Sequence, residues 1–505
     1  MKLPKHHFRL FLIADKGLSL FLFIVALTLF YLKADVPQKM SHRPVGEHVW
    51  AQIDRASLAL NYYQENNSFW LPRGHLTNKN TQGIVAGEFP ILPYLASRFY
   101  LMGGFHELYY RWLILSISII GFFFAWKWIV PILGNTLSAT ATAILWIASP
   151  NLVYYSFSFL PDSAALAFLL ISVYYFWQYG YTANSSKLIP AIIFGILAAL
   201  NKVSALFPLT AVIAALTFFG KNAGLMIDYK KILLSFFLIL SCSIAWILYS
   251  RWVNQLYGIH TFLMTPILPT NTTAFIKGLA GFYNHWQYYY SREMIWLIYA
   301  MIVVVLLRIR HIPSVYIASM LFIFLSAILF FILMFGKAPH HQYYWVPFQI
   351  FFLFLTVCFF MAIRKIHIHN YIRIAAFVLF CVFINMNAIH IKKNIRQRFS
   401  LHRNTLLPYY NLEKHLSAMG IQFSDRVFSY QDYSFQNSLY LMNRKGMALA
   451  DLPAYQPRHF KQGLEQAGFA ILNDTTLLDN PEYSTYFYRR IGMHHNLVIY
   501  QLHAH

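Results

Sequence analysis

The sequence has 505 residues, of which 58% are hydrophobic and 18% aromatic, and its mean hydropathy is +0.47. This composition excludes a water-soluble globular protein, because about 20 apolar residues already suffice for one membrane span. The formal net charge of +22 does not indicate a nucleic-acid partner, since Lys and Arg lie mostly between apolar runs and in the C-terminal part, where membrane topology and anionic headgroups account for them.

Apolar runs of helical length recur as far as about residue 388. They lie at about 17–33, 108–130, 136–155, 161–179, 187–201, 203–220, 231–250, 294–309, 313–335, 343–363 and 371–388. We predict one transmembrane helix for each run, about eleven in total, with only Asn201 and Lys202 separating the fifth from the sixth. No small-residue cleavage signature follows the first run, which favours a retained span over a removed signal peptide. Basic residues gather in alternate short connections, which predicts that these connections and the N-terminus are cytoplasmic.

Two long loops are predicted on the opposite, outer side of the membrane. The first, 34–107, shows helical periodicity over 47–63 and again over 89–100. The second, 251–293, is rich in aromatic residues. Its pattern fits either a helix lying flat in the membrane interface or a loop that forms an aromatic belt.

The composition changes at residues 389–505, where charged residues return and short helical and strand patterns alternate. The clearest elements are helix 402–419, strand 426–430, strand 447–450, helix 458–467, strand 469–473 and strand 497–501. This alternation predicts a small α/β domain on the outer side. The predicted fold class is therefore a polytopic α-helical membrane protein, with membrane domain 1–388 followed by a soluble α/β domain 389–505.

Charged side chains are rare within the apolar part of the chain. Between residues 108 and 388 the acidic residues are Asp162, Asp228 and Glu293 alone. Because an ionised carboxylate at the edge of a hydrocarbon span is costly, Asp162 is predicted to be functional and to have a partner. The predicted topology places on the same outer face the further candidates Asp54, Glu88, Lys202, Lys337, His340 and His341.

Brought together in one cavity, these groups would suit phosphate chemistry. Lys and His would hold a phosphate while a carboxylate removes a proton from an incoming nucleophile. Structural interpretations stay open for the carboxylates. Asp54 could form an ion pair with Arg55 or cap a helix. Glu88 could interact with a helix dipole, and Asp162 could be the N-cap of its span.

The basic candidates also have alternative interpretations. The Lys202 side chain could instead extend toward the lipid headgroups. The neighbouring His340 and His341 fit metal ligation or phosphate contact, or, with the adjacent Tyr344, an interfacial aromatic belt. The three cysteines lie inside apolar runs without metal-binding spacing, and no Gly-rich nucleotide motif or P-loop is present in the sequence.

Several short motifs, in this order and on this topology, resemble the GT-C class of membrane glycosyltransferases. The likeness is to bacterial family 39, relatives of protein O-mannosyltransferases and of the aminoarabinose transferase that modifies lipid A, and it covers residues 10–388. The matching motifs are Trp50-Ala51-Gln52-Ile53-Asp54, Glu88-Phe89-Pro90, Pro161-Asp162, Asn201-Lys202 and His341-Gln342-Tyr343-Tyr344 with Pro347 following.

The resemblance implies an enzyme that moves a sugar from a polyprenyl-phosphate donor to an acceptor hydroxyl, with inversion, at the outer face of a bacterial inner membrane. Its acceptor is a lipid, a glycan or a protein. By the same resemblance Asp54 is the base or organises the donor site, Glu88 lines that cavity, and Asp162 is the second loop carboxylate. The groups that hold the lipid-linked phosphate are then Lys202, His341 and Tyr344.

The sequence departs from the family in two places. The first loop lacks an adjacent Asp-Glu pair, which weakens protein as the acceptor, and Gln342 stands where an acidic residue is frequent, which leaves a divalent metal as an open possibility. The main alternative function is a transporter or flippase of lipid-linked glycans, which would place polar residues at mid-span depth. The third candidate function is that of a non-catalytic membrane protein whose outer domain binds a partner.

Overall fold

The computed structural model describes residues 16–77, 82–258, 267–364, 370–432, 434–449 and 457–503. The basic residues at positions 2, 5 and 9, which belong to the N-terminus predicted to be cytoplasmic, lie outside these ranges. The helices are α1 Lys16–Lys33, α2 Val49–Gln64, α3 Ile91–Gly103, α4 Glu107–Leu133, α5 Thr136–Ile147, α6 Pro150–Tyr155, α7 Asp162–Thr182, α8 Leu188–Asn201, α9 Leu206–Phe219, α10 Tyr229–Leu256, α11 Thr272–Tyr289, α12 Arg292–Leu307, α13 Ser314–Leu333, α14 Ile350–Ile363, α15 Asn370–Ser400, α16 Arg403–Leu406, α17 Leu412–Ala418, α18 Asn437–Leu441, α19 Pro457–Gln466 and α20 Pro481–Ser484. The strands are β1 Arg426–Tyr430, β2 Lys445–Leu449, β3 Phe469–Leu472, β4 Phe487–His494 and β5 Leu497–Leu502.

Within the described residues, four helical segments are long and apolar enough to cross a membrane, judged by length and composition. They are Glu107–Leu133, Tyr229–Leu256, Ser314–Leu333 and Gln342–Ile363. Shorter apolar helices are Leu20–Lys33, Thr136–Ile147, Ser185–Asn201 and Val203–Phe219. The protein is therefore a multi-pass helical membrane protein, as predicted, and the number of about eleven spans stays a prediction.

The apolar run at 136–155, predicted as one span, is two helices. Helix α5 ends at Ile147, and α6 begins at Pro150. The Ser149 hydroxyl oxygen accepts the N–H of Leu152 and caps the new helix, while Pro150 occupies its first turn, where a missing N–H costs nothing. The prediction of one continuous helix at 136–155 was wrong. A hydropathy pattern does not reveal a helix cap that lies inside an apolar run.

The contacts divide the chain into two compact units, each described on its own. The first unit comprises 1–40, 111–247 and 264–396, the membrane-spanning helices. Helix α7 packs on α8, and α9 packs on α13. A Cβ at Gly121 of α4 would collide with Ala167 of α7, so glycine permits these two helices to touch there.

The second unit comprises 41–110, 248–263 and 397–505, so most of the predicted first loop belongs to the same compact unit as the C-terminal residues. Its five described strands form one sheet in the order β2-β1-β3-β5-β4, with β1 parallel to β2 and β3 and the other pairs antiparallel. This confirms the predicted small C-terminal sheet. Strand β4 was not predicted, and position 450, the end of the predicted second strand, lies outside the described residues.

The first loop extends this sheet at its β2 edge. Leu76 pairs with Gly446 of β2 in a parallel bridge. The Thr77 N–H donates to the Gly446 carbonyl oxygen at 2.7 Å, and the Gly446 N–H donates to the His75 carbonyl oxygen at 3.1 Å. Gly446 has a φ of +153°, and a Cβ there would collide with the Val427 carbonyl, so only glycine fits. The division into domains 1–388 and 389–505 stays a prediction, and α15 runs without a break across that boundary.

Candidate active site

Asp162 and Lys202 form a buried ion pair within the membrane unit. Pro161 occupies the N-cap position of α7, so Asp162 lies in the first helical turn and does not cap the helix through its side chain. Lys202 has an extended backbone (φ −155°, ψ 115°) that separates α8 from the 3-10 helix Val203–Ala205. Its Nζ lies 3.5 Å from Asp162 Oδ1, and the two side chains are 4% and 0% exposed. Lys202 does not reach out to solvent, because burying either charge alone would be far more costly.

Aromatic rings enclose the Lys202 ammonium on a second side. Its Nζ lies 4.9 Å from the ring centre of Tyr343 and 5.0 Å from that of Tyr344. The His341 ring stacks on Tyr344, with ring centres 5.2 Å apart. Such rings stabilise a cation through their negative faces. We call Asp162, Lys202, His341, Tyr343 and Tyr344 the lysine cluster.

The loop before Gln342 adds positive charge to the lysine cluster. His341 Nδ1–H donates to the carbonyl oxygen of Lys337 at 3.0 Å. Burial lowers the pKa of His341, the hydrogen bond to the Lys337 carbonyl oxygen raises it, and the charges of the neighbouring side chains lower it; the pKa ends below its ordinary value, so the ring is neutral at neutral pH. The His340 side chain is exposed and that of Lys337 is half-buried. The Lys202 ammonium and the Tyr344 hydroxyl are donors that suit an anion such as phosphate.

Asp54 and Glu88 meet around a shared arginine in the second unit. Arg55 Nη2 lies 2.5 Å from Glu88 Oε2, its Nε donates to the same oxygen at 2.9 Å, and its Nη1 lies 3.7 Å from Asp54 Oδ2. The predicted Asp54–Arg55 ion pair is therefore present, but Arg55 is bound more closely by Glu88. Glu88 lies three residues before the first residue of α3, so it pairs with a cation and does not sit in the first turn of that helix.

A carboxamide completes the surroundings of Asp54. Gln436 Nε2 donates to Asp54 Oδ1 at 2.8 Å. Burial raises the pKa of Asp54 to about 6, although Arg55 and Gln436 lower it and Glu88 raises it. The side chain is still 19% exposed, so a reactant can reach a carboxylate whose pKa lies close to neutrality. These are the properties of a general base. We call Asp54, Arg55, Glu88 and Gln436 the carboxylate cluster.

The segment that carries Glu88 is fixed by the end of α10. The Asn254 side chain closes on the Ala86 backbone: its Oδ1 accepts the Ala86 N–H at 2.9 Å, and its Nδ2 donates to the Ala86 carbonyl oxygen at 2.6 Å. The Ser250 hydroxyl donates to the Gly87 carbonyl oxygen at 3.3 Å. Backbone groups that no helix or strand satisfies are thus held by side chains, which restrains Glu88 beside Arg55.

The structure groups the predicted residues in two sets, each within one unit. Asp162, Lys202, His341 and Tyr344 form one set, with Lys337 and His340 on the adjoining loop, and Asp54 and Glu88 belong to the other. Sequence reasoning treated Arg55 only as a structural partner and missed Tyr343 and Gln436. The proximity of Arg55 to Asp54 was visible in the sequence, whereas Gln436 lies 382 positions from Asp54 and carries no charge. Within the described ranges, no group of three or more His, Cys, Asp or Glu is placed to hold a metal ion.

The fold is that of a multi-pass helical membrane protein in which the predicted first loop and the C-terminal residues belong to one compact unit. No protein-family model matches the sequence, and no curated protein sequence matches it. Among solved structures, ArnT from Cupriavidus metallidurans is similar in fold. Its apo crystal structure matches with a TM-score of 0.58 and 11% identity, and the crystal structure bound to undecaprenyl phosphate with 0.59 and 12%. Each alignment covers 96% of this chain and 98% of the ArnT chain. The resemblance to the aminoarabinose transferases of GT-C family 39 is therefore confirmed at the level of the fold.

Proposed function

We propose that this protein transfers a sugar from a polyprenyl-phosphate donor to an acceptor hydroxyl at the outer face of a bacterial inner membrane. One observation carries the proposal above all others. The chain matches, over 96% of its length, the fold of a protein whose crystal structure holds undecaprenyl phosphate. The two residue clusters supply the kinds of group that such a reaction needs, an anion site and a carboxylate base.

In this proposal the lysine cluster binds the phosphate of the donor. The Lys202 ammonium attracts the phosphate anion and the Tyr344 hydroxyl donates a directed hydrogen bond to it, while the His341 ring stacks on Tyr344 and holds that side chain in place. Lys337 adds positive potential from the adjoining loop, which also carries the exposed His340 side chain, and Asp162 pairs with the Lys202 ammonium. The polyprenyl tail partitions among apolar helices, which supply the hydrophobic part of the binding energy.

The carboxylate cluster would carry out the proton transfer. Asp54 takes the proton from the acceptor hydroxyl as its oxygen attacks the anomeric carbon of the donor sugar. The bond from that carbon to the phosphate oxygen breaks, and polyprenyl phosphate leaves as an anion stabilised by Lys202. A single displacement of this kind inverts the anomeric configuration. Glu88 acts through Arg55, which keeps the Asp54 side chain in place.

The decisive experiment separates transfer from transport. Purified protein in liposomes is supplied with a polyprenyl-phosphate hexose labelled in the sugar, together with a membrane extract as the source of acceptor. The proposal predicts that the label moves to a new compound while polyprenyl phosphate is released in equal amount. Label that crosses the bilayer but stays attached to its original lipid would instead establish a flippase.

A further inference from the structure

One side chain of the C-terminal region reaches the candidate base. Gln436 directly precedes α18 and is 2% exposed. Its Nε2 donates to Asp54 Oδ1 at 2.8 Å, which joins the C-terminal α/β fold to helix α2 of the first outer loop within one compact unit. Gln436 is the one C-terminal member of the carboxylate cluster, and the steps of the proposed reaction give it no role of its own.

The direction of this hydrogen bond is fixed by the other end of the same amide. Gln436 Oε1 accepts the backbone N–H of His75 at 3.0 Å and that of Leu76 at 3.4 Å, and it also accepts the Ser57 hydroxyl at 3.2 Å. Backbone N–H groups can only donate, so the oxygen must face them. The NH₂ group must then face Asp54.

The turn that carries Gln436 is braced from within. The Asp432 carboxylate accepts the backbone N–H of Ser438 at 2.6 Å, the Ser438 hydroxyl at 2.7 Å and the Ser434 N–H at 3.1 Å. A Cβ at Gly74 would lie 2.9 Å from Gln436 Oε1, so the small residue there makes room for the amide. A side chain held at both ends in a buried site has little freedom to move, and it therefore restrains what it binds.

We propose that Gln436 is the positioning residue for the general base, and that the C-terminal domain thereby takes part in the reaction by holding Asp54 ionised and oriented. The inference rests on the proposed function, in which Asp54 receives the acceptor proton. A neutral amide that donates to a carboxylate favours its charged form and fixes the plane of its two oxygens. A base fixed in this way needs less reorganisation during proton transfer.

Gln436→Glu tests this role with an almost isosteric change. It keeps the oxygen that accepts from His75 and Leu76, but it replaces the donor to Asp54 with a second carboxylate oxygen. Because a like charge disfavours ionisation, the pKa of Asp54 should rise, and the pH of half-maximal turnover should move up by about 1 unit or more. On the acidic limb the rate should then fall about tenfold relative to the wild type.

Gln431→Glu is the matched control, because Gln431 Nε2 donates to Asp474 Oδ2 at the same distance of 2.8 Å in the same unit. The pH profile of this variant should coincide with that of the wild type. If the Gln436→Glu profile is unshifted, or if both variants shift alike, Gln436 does not position the base. If Gln436 had only a structural role, Gln436→Glu would lower the rate at every pH but leave the pH of half-maximal turnover unchanged.

A stability cycle tests the contact without any turnover. The Asp54→Asn/Gln436→Glu variant reverses donor and acceptor, so the hydrogen bond can form again. Gln436→Glu alone should lower the Tm at about pH 8, where both carboxylates are charged, and much less at about pH 4, where one of them holds a proton. Adding Asp54→Asn should restore the Tm while leaving the protein inactive.

The outcomes separate the two proposals. Equal Tm losses from Gln436→Glu in both backgrounds would refute the contact even in an active transferase. A restored Tm in a protein whose wild type transfers no sugar would confirm the contact and refute the proposed function, and with it the catalytic role of Gln436. The proposal stands only if the Tm is restored and the pH limb of the active enzyme moves.

Discussion

At the scale of single residues, the proposed reaction depends on the protonation state of Asp54. Its burial and its neighbours oppose one another: desolvation and Glu88 raise its pKa, while Arg55 and Gln436 lower it. The balance of about 6 leaves the carboxylate charged at neutral pH, yet basic enough to take a proton.

The wild-type enzyme should therefore have an acidic limb set by Asp54. A base works only when it is deprotonated, so turnover should rise with pH, reach half its maximum at about pH 6 and level off above it. Initial rates of polyprenyl phosphate release at saturating donor, measured across about pH 4.5–8, check this. A limb centred near 4, the ordinary range of an aspartate, would show that another group is the base.

The lysine cluster makes a separate prediction for donor affinity. Lys202→Met alone would leave Asp162 charged and buried without its cation, so the informative variant is Asp162→Asn/Lys202→Met, which removes both charges at once. Losing the ammonium should weaken donor binding by at least about tenfold, since a charged hydrogen bond contributes about 1.5–3 kcal/mol. Direct binding of a labelled polyprenyl phosphate measures the effect.

Lys127 offers a control, because it too is a lysine whose ammonium lies near two aromatic rings. Its Nζ also lies over two rings, 5.6 Å from the centre of Phe124 and 5.2 Å from that of Tyr174, but its side chain is exposed. Lys127→Met should leave donor affinity unchanged. Unchanged affinity in the Asp162→Asn/Lys202→Met variant as well would remove the lysine cluster from the donor site.

Residue type decided which of these groups were visible in the sequence. Asp162 and Lys202 stand out because a charge in an apolar run is costly, and a cost of that kind implies a partner. Asp54 and Glu88 stand out less, since acidic residues in loops are common. Tyr343 and Gln436 carry no such signal: one is a single ring among many, and the other is a neutral amide whose partner lies in a distant part of the chain.

At the scale of secondary-structure elements, the end of α10 controls the segment that carries Glu88. Asn254→Leu should release the Ala86 backbone, and the carboxylate of Glu88 should then lose its fixed place beside Arg55. We expect faster amide exchange at Ala86 and a lower kcat with little change in donor affinity. Hydrogen exchange by mass spectrometry and steady-state kinetics measure the two effects.

Asn254→Asp provides a graded comparison, because it keeps the acceptor for the Ala86 N–H at 2.9 Å and loses only the donor to the carbonyl oxygen. Its effect on exchange and on kcat should lie between those of the wild type and Asn254→Leu. If Asn254→Leu exchanges no faster than the wild type at Ala86, this side chain does not fix the segment.

Elements were predictable where their hydrophobic pattern is regular. Strands β1, β3 and β5 lie close to their predicted positions, because each is paired on both sides and carries buried residues. Strand β4 pairs only with β5 and is largely exposed, so its sequence lacks the apolar pattern that marks a strand. The aromatic region of the second loop contains helix α11, and the position of this helix in the membrane interface stays a prediction.

At the scale of the whole molecule, the predicted first loop and the C-terminal residues are joined in one compact unit. The Thr77–Gly446 and Gly446–His75 backbone hydrogen bonds pair this loop with β2, and the His75 ring is buried beside Ser57, with its Nδ1 2.7 Å from the hydroxyl oxygen. Burial lowers the pKa of His75 to about 4, so the ring is neutral there. These contacts between the first loop and the C-terminal residues could not be predicted from hydropathy, in which the two segments are separate polar regions.

Ending the chain after residue 396 should therefore unfold the first loop. We expect proteases added to the outer side to cut within residues 41–110 of the shortened protein and to spare the same residues in the full chain. Cleavage sites mapped by mass spectrometry check this. Equal protection in both proteins would show that the loop folds by itself.

If this chain transfers a sugar with Asp54 as the base, loss of the Asp54 carboxylate must stop the transfer. The most direct measurement is a single-turnover assay in which wild-type protein and Asp54→Asn, both loaded with labelled polyprenyl-phosphate hexose, receive the membrane extract at neutral pH. We predict release of polyprenyl phosphate by the wild type, and equal donor binding with at least about a thousandfold slower release by Asp54→Asn. Equal rates of release from the two proteins, or no release from either, would contradict it.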